Sequence, residues 1–353
     1  AAGATENHPY RRTDLVTQPL APGIWRVLAD DAGHSFLRGR VREVAVGPGG
    51  SVWVAQGRRV VGLGEPGGIE PRHDGWMAFP RRLVVDATGV PWVQEDGGDV
   101  LSRSETGWRG REGEYQSKRA SLAVAGDHVW RVLAADGPGI GAVAVRDATD
   151  WQTIEPPGSV AGALRGTAAY SLELDSRERI WLGADLGPDS GWLAVYEDDA
   201  WRAADPLEDR SLQRLQAMVT DTDGGVWILG TRTPACSRDC QPELVLATYR
   251  GDAWQVFGAA MGMPQVDAGV ATDWSPQIQP ALVVDHSGVA WFSVPPVGLH
   301  RFDGNSFEHV DVPALRQGVL DLAVDDHGDI WMATSRGSLI VAGRGAHEDP
   351  DAG

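Results

Sequence analysis

Seven copies of one strand–turn–strand unit, each with a Trp at the same place, leave this 353-residue chain few ways to fold. Self-similarity at a fixed period outranks any local signal. Aligned on the Trp, the copies read "VREVAVGPGGSVWVAQ", "RLVVDATGVPWVQE", "SLAVAGDHVWRVL", "YSLELDSRERIWLGA", "QAMVTDTDGGVWILG", "PALVVDHSGVAWFSV" and "LDLAVDDHGDIWMATS". The Trp residues are Trp53, Trp92, Trp130, Trp181, Trp227, Trp291 and Trp331, separated by 39, 38, 51, 46, 64 and 40 positions. A tight unit with elastic joints is a repeated hairpin between loops of variable length.

Each copy continues with a second apolar run, a polar turn and a further aromatic: Trp76, Trp108, Trp151, Trp201, Trp254 and Phe307 in the first six. The alternation and the Gly/Asp turns give four short strands, A to D. Helical periodicity is confined to "EDRSLQRLQAM", which predicts a helical turn or two. The seventh copy runs out after "SLIVAGRG", its third strand. At the other terminus "GIWRVLADDAGHSFLRG" resembles strands C and D with nothing before them, Phe36 taking the second-aromatic place. An N-terminal strand completing the last sheet closes a ring and removes an exposed edge. The expectation is an all-β, seven-bladed β-propeller of four-stranded antiparallel blades over residues 24–342, with an N-terminal extension at 1–23 and a C-terminal tail at 343–353.

The LxxDxxGxxWxGT, GLxRYDG and WxxF pattern resembles the propeller repeat of two-component regulators, found in sensor ectodomains. "LVVDHSGVAWFSVPPVGLHRFDGNSFEHV" matches it best, and "AMGMPQ" resembles that family's joint between blades. Streptogramin lyases carry a similar DxxGxxWF unit. A repeat resemblance implies fold more than activity.

Composition narrows the partners. A formal charge of −18 repels phosphate backbones and anionic lipid, so nucleic acid is excluded as a partner. No run approaches the roughly 18 apolar residues of a membrane helix, so no direct membrane insertion is expected within this chain. "AAGATENHPYRRTD" lacks the apolar core of a signal peptide. It reads as the start of a mature chain after loss of a signal or anchor, or as the edge of an excised domain. Cys236 and Cys240 are the only cysteines. A zinc site needs two further ligands, and no His is near in sequence. A local disulfide is expected instead, which places the chain in an oxidising, extracytoplasmic compartment.

The repeated Asp86, Asp175, Asp221, Asp285 and Asp325 each stand six residues before their Trp. They could be ligands or acids, but they fit turn formers better. Asp accepts from the backbone N–H groups just ahead, and a Gly three residues on tolerates positive φ. Gly89, Gly224, Gly288 and Gly328 take that place; Glu178 departs from it. Gly47 and Ala125 stand where the first and third copies lack the Asp. His128, His286 and His327 in the same turns read as solvent-exposed. The strand-B Trp residues read as packing between sheets. "GLGEPG" at 62–67 matches GxGxxG, but no helix comes after it, so it is no dinucleotide site. No metal site, cofactor or catalytic motif emerges.

Binding is expected on the face of the D–A joints and B–C loops, around the central channel. Its long segments supply Tyr115, Arg165, Arg232, Asp273 and Trp274 as candidate ligand-binding residues. Trp274 would be an aromatic platform, and Arg165 and Arg232 carboxylate or phosphate donors. Alternatively these loops plug the channel and Trp274 is buried. The leading function is a non-catalytic, extracytoplasmic binding or sensing module for a protein or small-molecule ligand. The alternative is a lyase-like enzyme with a metal-assisted acid/base site at the channel mouth.

Overall fold

The computed structural model describes residues 16–20, 25–29, 41–63, 80–95, 99–104, 107–111, 122–125, 128–134, 140–147, 150–154, 169–185, 191–204, 212–232, 243–265, 280–294, 297–311, 315, 318–335 and 338–342. It is a seven-bladed β-propeller of antiparallel sheets, with two short 3-10 turns at Pro48–Gly50 and Ala259–Met261. The innermost strands A are Val41–Gly47, Pro80–Val85, Leu122–Ala125, Ala169–Leu174, Leu212–Thr220, Ala281–Val284 and Val319–Val324. Strands B to D stack outward in chain order; blade 1 shows three strands among the described residues.

The ring closes through the N-terminus. Trp25–Ala29 pairs antiparallel with Leu339–Ala342, the third strand of blade 7, and Val16–Leu20 pairs outside Trp25–Ala29. The N-terminal segment therefore supplies the fourth strand of blade 7 and a fifth beyond it. Strand C of that blade comes from the C-terminus alone.

Each strand-B Trp packs in the seam between its own blade and the next. Trp53 meets Leu83 and Val93, Trp92 meets Leu122 and Val129, and Trp130 meets Leu172 and Leu182. Trp181 meets Leu215 and Met218, Trp227 meets Leu282 and Phe292, and Trp291 meets Leu322 and Met332. Trp331 completes the circle against Val44 and Val54 of blade 1. A large flat side chain repeated at one register fills seven wedge-shaped gaps between twisted sheets, so the core is a ring of inter-blade seams.

The repeated Asp holds the A–B hairpin by both oxygens. In blade 2, Oδ1 of Asp86 accepts from the backbone N–H of Thr88 and Val90, at 2.9 Å each. Its Oδ2 accepts from the indole N–H of Trp92 at 2.8 Å. The same pattern recurs at Asp175, Asp221, Asp285 and Asp325, with indole distances of 2.9, 2.6, 2.9 and 3.0 Å. A carboxylate six residues before the Trp thus serves the turn and satisfies the one polar atom of a buried indole. Where Gly47 and Ala125 replace the Asp, the indole nitrogens of Trp53 and Trp130 are buried without a partner. Gly89, Gly224, Gly288 and Gly328 have φ between +80° and +84°, and Glu178 takes the same left-handed place at +61°. His286 and His327 are exposed in these turns, and His128 is exposed at the start of strand B of blade 3.

The helical expectation over "EDRSLQRLQAM" is overturned from Leu212 onward: Leu212–Thr220 is strand A of blade 5. Two register shifts explain the misleading pattern. They fall between Leu212 and Arg214 and between Leu215 and Ala217. Each extra residue resets the alternation, so Leu212, Leu215 and Met218 are all buried at a spacing that imitates a helix.

Candidate functional site

The strands A surround a channel along the propeller axis, and one register position dominates its wall. Ten residues before each strand-B Trp stand Glu43, Arg82, Ser171, Ala217, Ala281 and Asp321 in blades 1, 2, 4, 5, 6 and 7. Each pairs with the residue two beyond its Trp, as in Glu43↔Ala55, Arg82↔Gln94 and Asp321↔Ala333. All six line a single cavity of about 200 Å³, with Leu122 from the short strand of blade 3. In five of the six blades this position lies in the first half of strand A, toward the face of the D–A joints and B–C loops; in the longer strand of blade 5, Ala217 is just past the middle.

The ring is chemically lopsided. Asp321, Glu43 and Arg82 occupy three successive blades, and Ser171, Ala217 and Ala281 form the opposing arc. Bulges immediately precede four of the six: register shifts fall just before Glu43, Arg82, Ala217 and Asp321. A bulge bends the strand and re-aims its side chains. The extra residue in blade 5 is Gln216, which also lines the cavity.

Arg82 is the electrostatic centre. Its guanidinium lies 3.9 Å from a carboxylate oxygen of Glu43 and 3.7 Å from one of Glu173, which stands two residues further along strand A of blade 4. Both separations exceed hydrogen-bonding distance. Arg82 thus makes ion pairs with both carboxylates without a hydrogen bond to either. Glu173 is steadied by the Thr220 hydroxyl of blade 5 at 3.3 Å. Asp321 accepts from the backbone N–H of Val44 at 2.8 Å, tying blade 7 to blade 1 where the ring closes. Asp326 repeats that tie at the other end of the blades, accepting from Gly49 N–H at 2.8 Å.

Three carboxyl groups share one facing cation, and their proton affinities show it. Burial pushes Glu173 up to about 7, against the pull of Arg82 and the Thr220 hydroxyl. Burial pushes Asp321 up to about 6, again opposed by Arg82 and by the Val44 N–H. Glu43 is raised well above the usual carboxylate range by burial and by the negative charge of Asp321. Burial works against the charge on Arg82, but Glu43, Glu173 and Asp321 outweigh it and hold the guanidinium above its ordinary value.

Hydrogen-bonding capacity is left open in the same place. Both amide atoms of Gln216 and one carboxylate oxygen of Glu43 are buried without a partner. Buried polar groups are nearly always paired, so several orphans around one cavity ask for an explanation. Among the described residues, no three His, Cys, Asp or Glu side chains are placed to hold a metal ion.

Arg232, from the B–C loop of blade 5, sits at the end of strand B and donates from Nε to Glu243 at 2.5 Å across the loop's base. Tyr115, Arg165, Asp273, Trp274, Cys236 and Cys240 lie outside the described residues. The 3-10 turn Ala259–Met261 begins the long joint between blades 5 and 6, burying Met263 and leaving Met261 exposed. Glu43, Arg82, Asp321 and Gln216 escape sequence reasoning because they belong to no motif. One available signal is the column ten places before the Trp, which holds charged residues in three copies and small ones in the other four.

No protein-family model matches the chain and no curated protein matches it in sequence. Solved structures do match in shape. Virginiamycin B lyase from Staphylococcus aureus aligns with a TM-score of 0.61 at 12% identity, covering 86% of this chain and 94% of that one. The extracellular domain of the hybrid two-component system BT4673 from B. thetaiotaomicron aligns at 0.57 and 13% identity, covering 93% of this chain and 39% of that one. YCF48 bound to D1 peptide aligns at 0.59 and 11% identity, covering 93% and 99%. At such identities the likeness establishes the propeller fold and nothing finer. The neighbours include a lyase, a sensor ectodomain and a peptide-bound propeller, so the fold is compatible with several roles.

Proposed function

We propose that this chain is a non-catalytic binding or sensing module that takes its ligand in the axial channel, from the face of the D–A joints and B–C loops. The observation that carries this reading is the lopsided ring of Asp321, Glu43 and Arg82 against Ser171, Ala217 and Ala281, with unpartnered polar atoms around a cavity of about 200 Å³. A concave, partly apolar site with a few convergent polar groups is the general form of a small-molecule site. An extracytoplasmic setting is part of the proposal; it draws on the Cys236/Cys240 pair and on the shape likeness to an extracellular sensor domain. No helix among the described residues is long and apolar enough to cross a membrane.

The test is a thermal-shift screen of amino acids, sugars and short peptides on the wild type, on Ala217→Trp, which fills the cavity, and on Arg82→Met. The proposal expects at least one compound to raise the melting temperature of the wild type and of neither variant. Hits that stabilise all three proteins equally would refute the channel as the site. Non-reducing mass spectrometry of the native protein checks the compartment: an intact Cys236–Cys240 bond is expected, and two free thiols would contradict it.

A further inference from the structure

We infer that the channel takes a small zwitterion, a molecule carrying an ammonium and a carboxylate on one aliphatic frame, such as a free amino acid. The inference rests on the channel being the binding site and adds the chemistry of its ligand.

The open groups are of two kinds. On the acceptor side are the partnerless oxygen of Glu43 and Oε1 of Gln216, with the carboxylates of Asp321 and Glu173 nearby. On the donor side are the guanidinium of Arg82, whose ion pairs with Glu43 and Glu173 are too long for hydrogen bonds, and the partnerless Nε2 of Gln216. An ammonium alone would satisfy the first set and leave the second orphaned. A carboxylate alone would face three carboxyl groups with one arginine to offset them. A zwitterion serves both sets and adds no net charge to a confined space, where an unbalanced charge is costly.

Shape agrees with charge. The arc opposite Asp321, Glu43 and Arg82 carries Ala217, Val219, Ala281 and Val283 on its wall, beside the polar Ser171, Glu173 and Gln216. The four apolar residues offer contact to an aliphatic side chain. A cavity of about 200 Å³ admits one small molecule.

Isothermal titration calorimetry at pH 7.5 tests this with three probes that share a carbon frame. L-leucine carries both charges, isopentylamine lacks the carboxylate, and 4-methylpentanoate lacks the ammonium. Leucine is expected to bind at least tenfold tighter than either fragment. Arg82→Met should bring leucine down to the level of the amine, and Asp321→Asn with Glu173→Gln should bring it down to the level of the acid. An amine or acid that binds as tightly as leucine overturns the inference, and so does leucine binding that ignores Arg82→Met. If no free amino acid binds while a compound that is not a zwitterion gives a shift that Ala217→Trp abolishes, the zwitterion is refuted and the channel reading stands. If no compound shows a shift dependent on Ala217, both fall.

Discussion

Replacing Asp86 with alanine tests the device that repeats around the ring. The side chain accepts four hydrogen bonds: from the N–H and hydroxyl of Thr88, from Val90 N–H, and from the Trp92 indole. Thr88 is exposed, so water replaces Asp86 there at little cost. Val90 is half-buried and its amide loses about 1 kcal/mol. The Trp92 indole is buried, and losing a charged acceptor there costs roughly 1.5–3 kcal/mol. The sum is about 3 kcal/mol. At roughly 2.1 cal/mol/K per residue, a cooperatively melting chain of this length falls by about 4 °C. Urea unfolding followed by circular dichroism reads the free energy, and calorimetry reads the midpoint. The double variant with Trp92→Phe isolates the indole contact: a coupling of roughly 1–2 kcal/mol is expected between the two positions. A loss under about 0.5 kcal/mol for Asp86→Ala, or no coupling to Trp92, would refute the assignment.

Other parts of the ring give three more expected outcomes. Glu178 holds φ +61° where the sister turns have Gly, so Glu178→Gly should stabilise by about 0.5–1 kcal/mol in urea unfolding. The folded pKa of Glu173 near 7 lies above its unfolded value, so the folded state binds the extra proton. Its contribution to stability is full below the unfolded pKa and is lost as pH rises from about 4 to about 7. Glu173→Gln should therefore flatten the fall in urea midpoint between pH 5 and pH 8, on the order of 1–3 kcal/mol at the upper end; an unchanged slope contradicts the burial assigned to this carboxyl. Deleting residues 1–29 removes both N-terminal strands and exposes Leu339–Ala342 as an edge. Size-exclusion chromatography should show self-association, whereas deleting 1–20 leaves the edge covered and the chain monodisperse.

Legibility in the sequence depends on repetition. Trp53 to Trp331 mark the blades because an indole in every inter-blade seam needs the same register seven times. Asp86 and its counterparts are legible as turn formers, yet their hold on the indole is not, although the constant spacing of six is its trace. The first part of strand Leu212–Thr220, up to Met218, reads as a helical turn because two bulges turn strand alternation into helical spacing. The channel residues are the hardest. Glu43, Arg82 and Asp321 differ from copy to copy, so they look like noise beside a repeated frame. Only the shared pairing of their strands shows that six such positions face one axis. The repeat builds the walls, and departures from it supply the chemistry.

The proposed function places ligand recognition in the channel rather than in the blade-5 loop. Calorimetric titration of the screen's strongest hit into wild type, Arg82→Met and Arg232→Met decides this most directly. Arg82→Met is expected to weaken binding at least tenfold. Arg232→Met, which breaks the pair with Glu243, should leave the dissociation constant within about twofold, a free-energy change of about 0.4 kcal/mol. Binding that survives Arg82→Met and is lost in Arg232→Met would contradict the assignment.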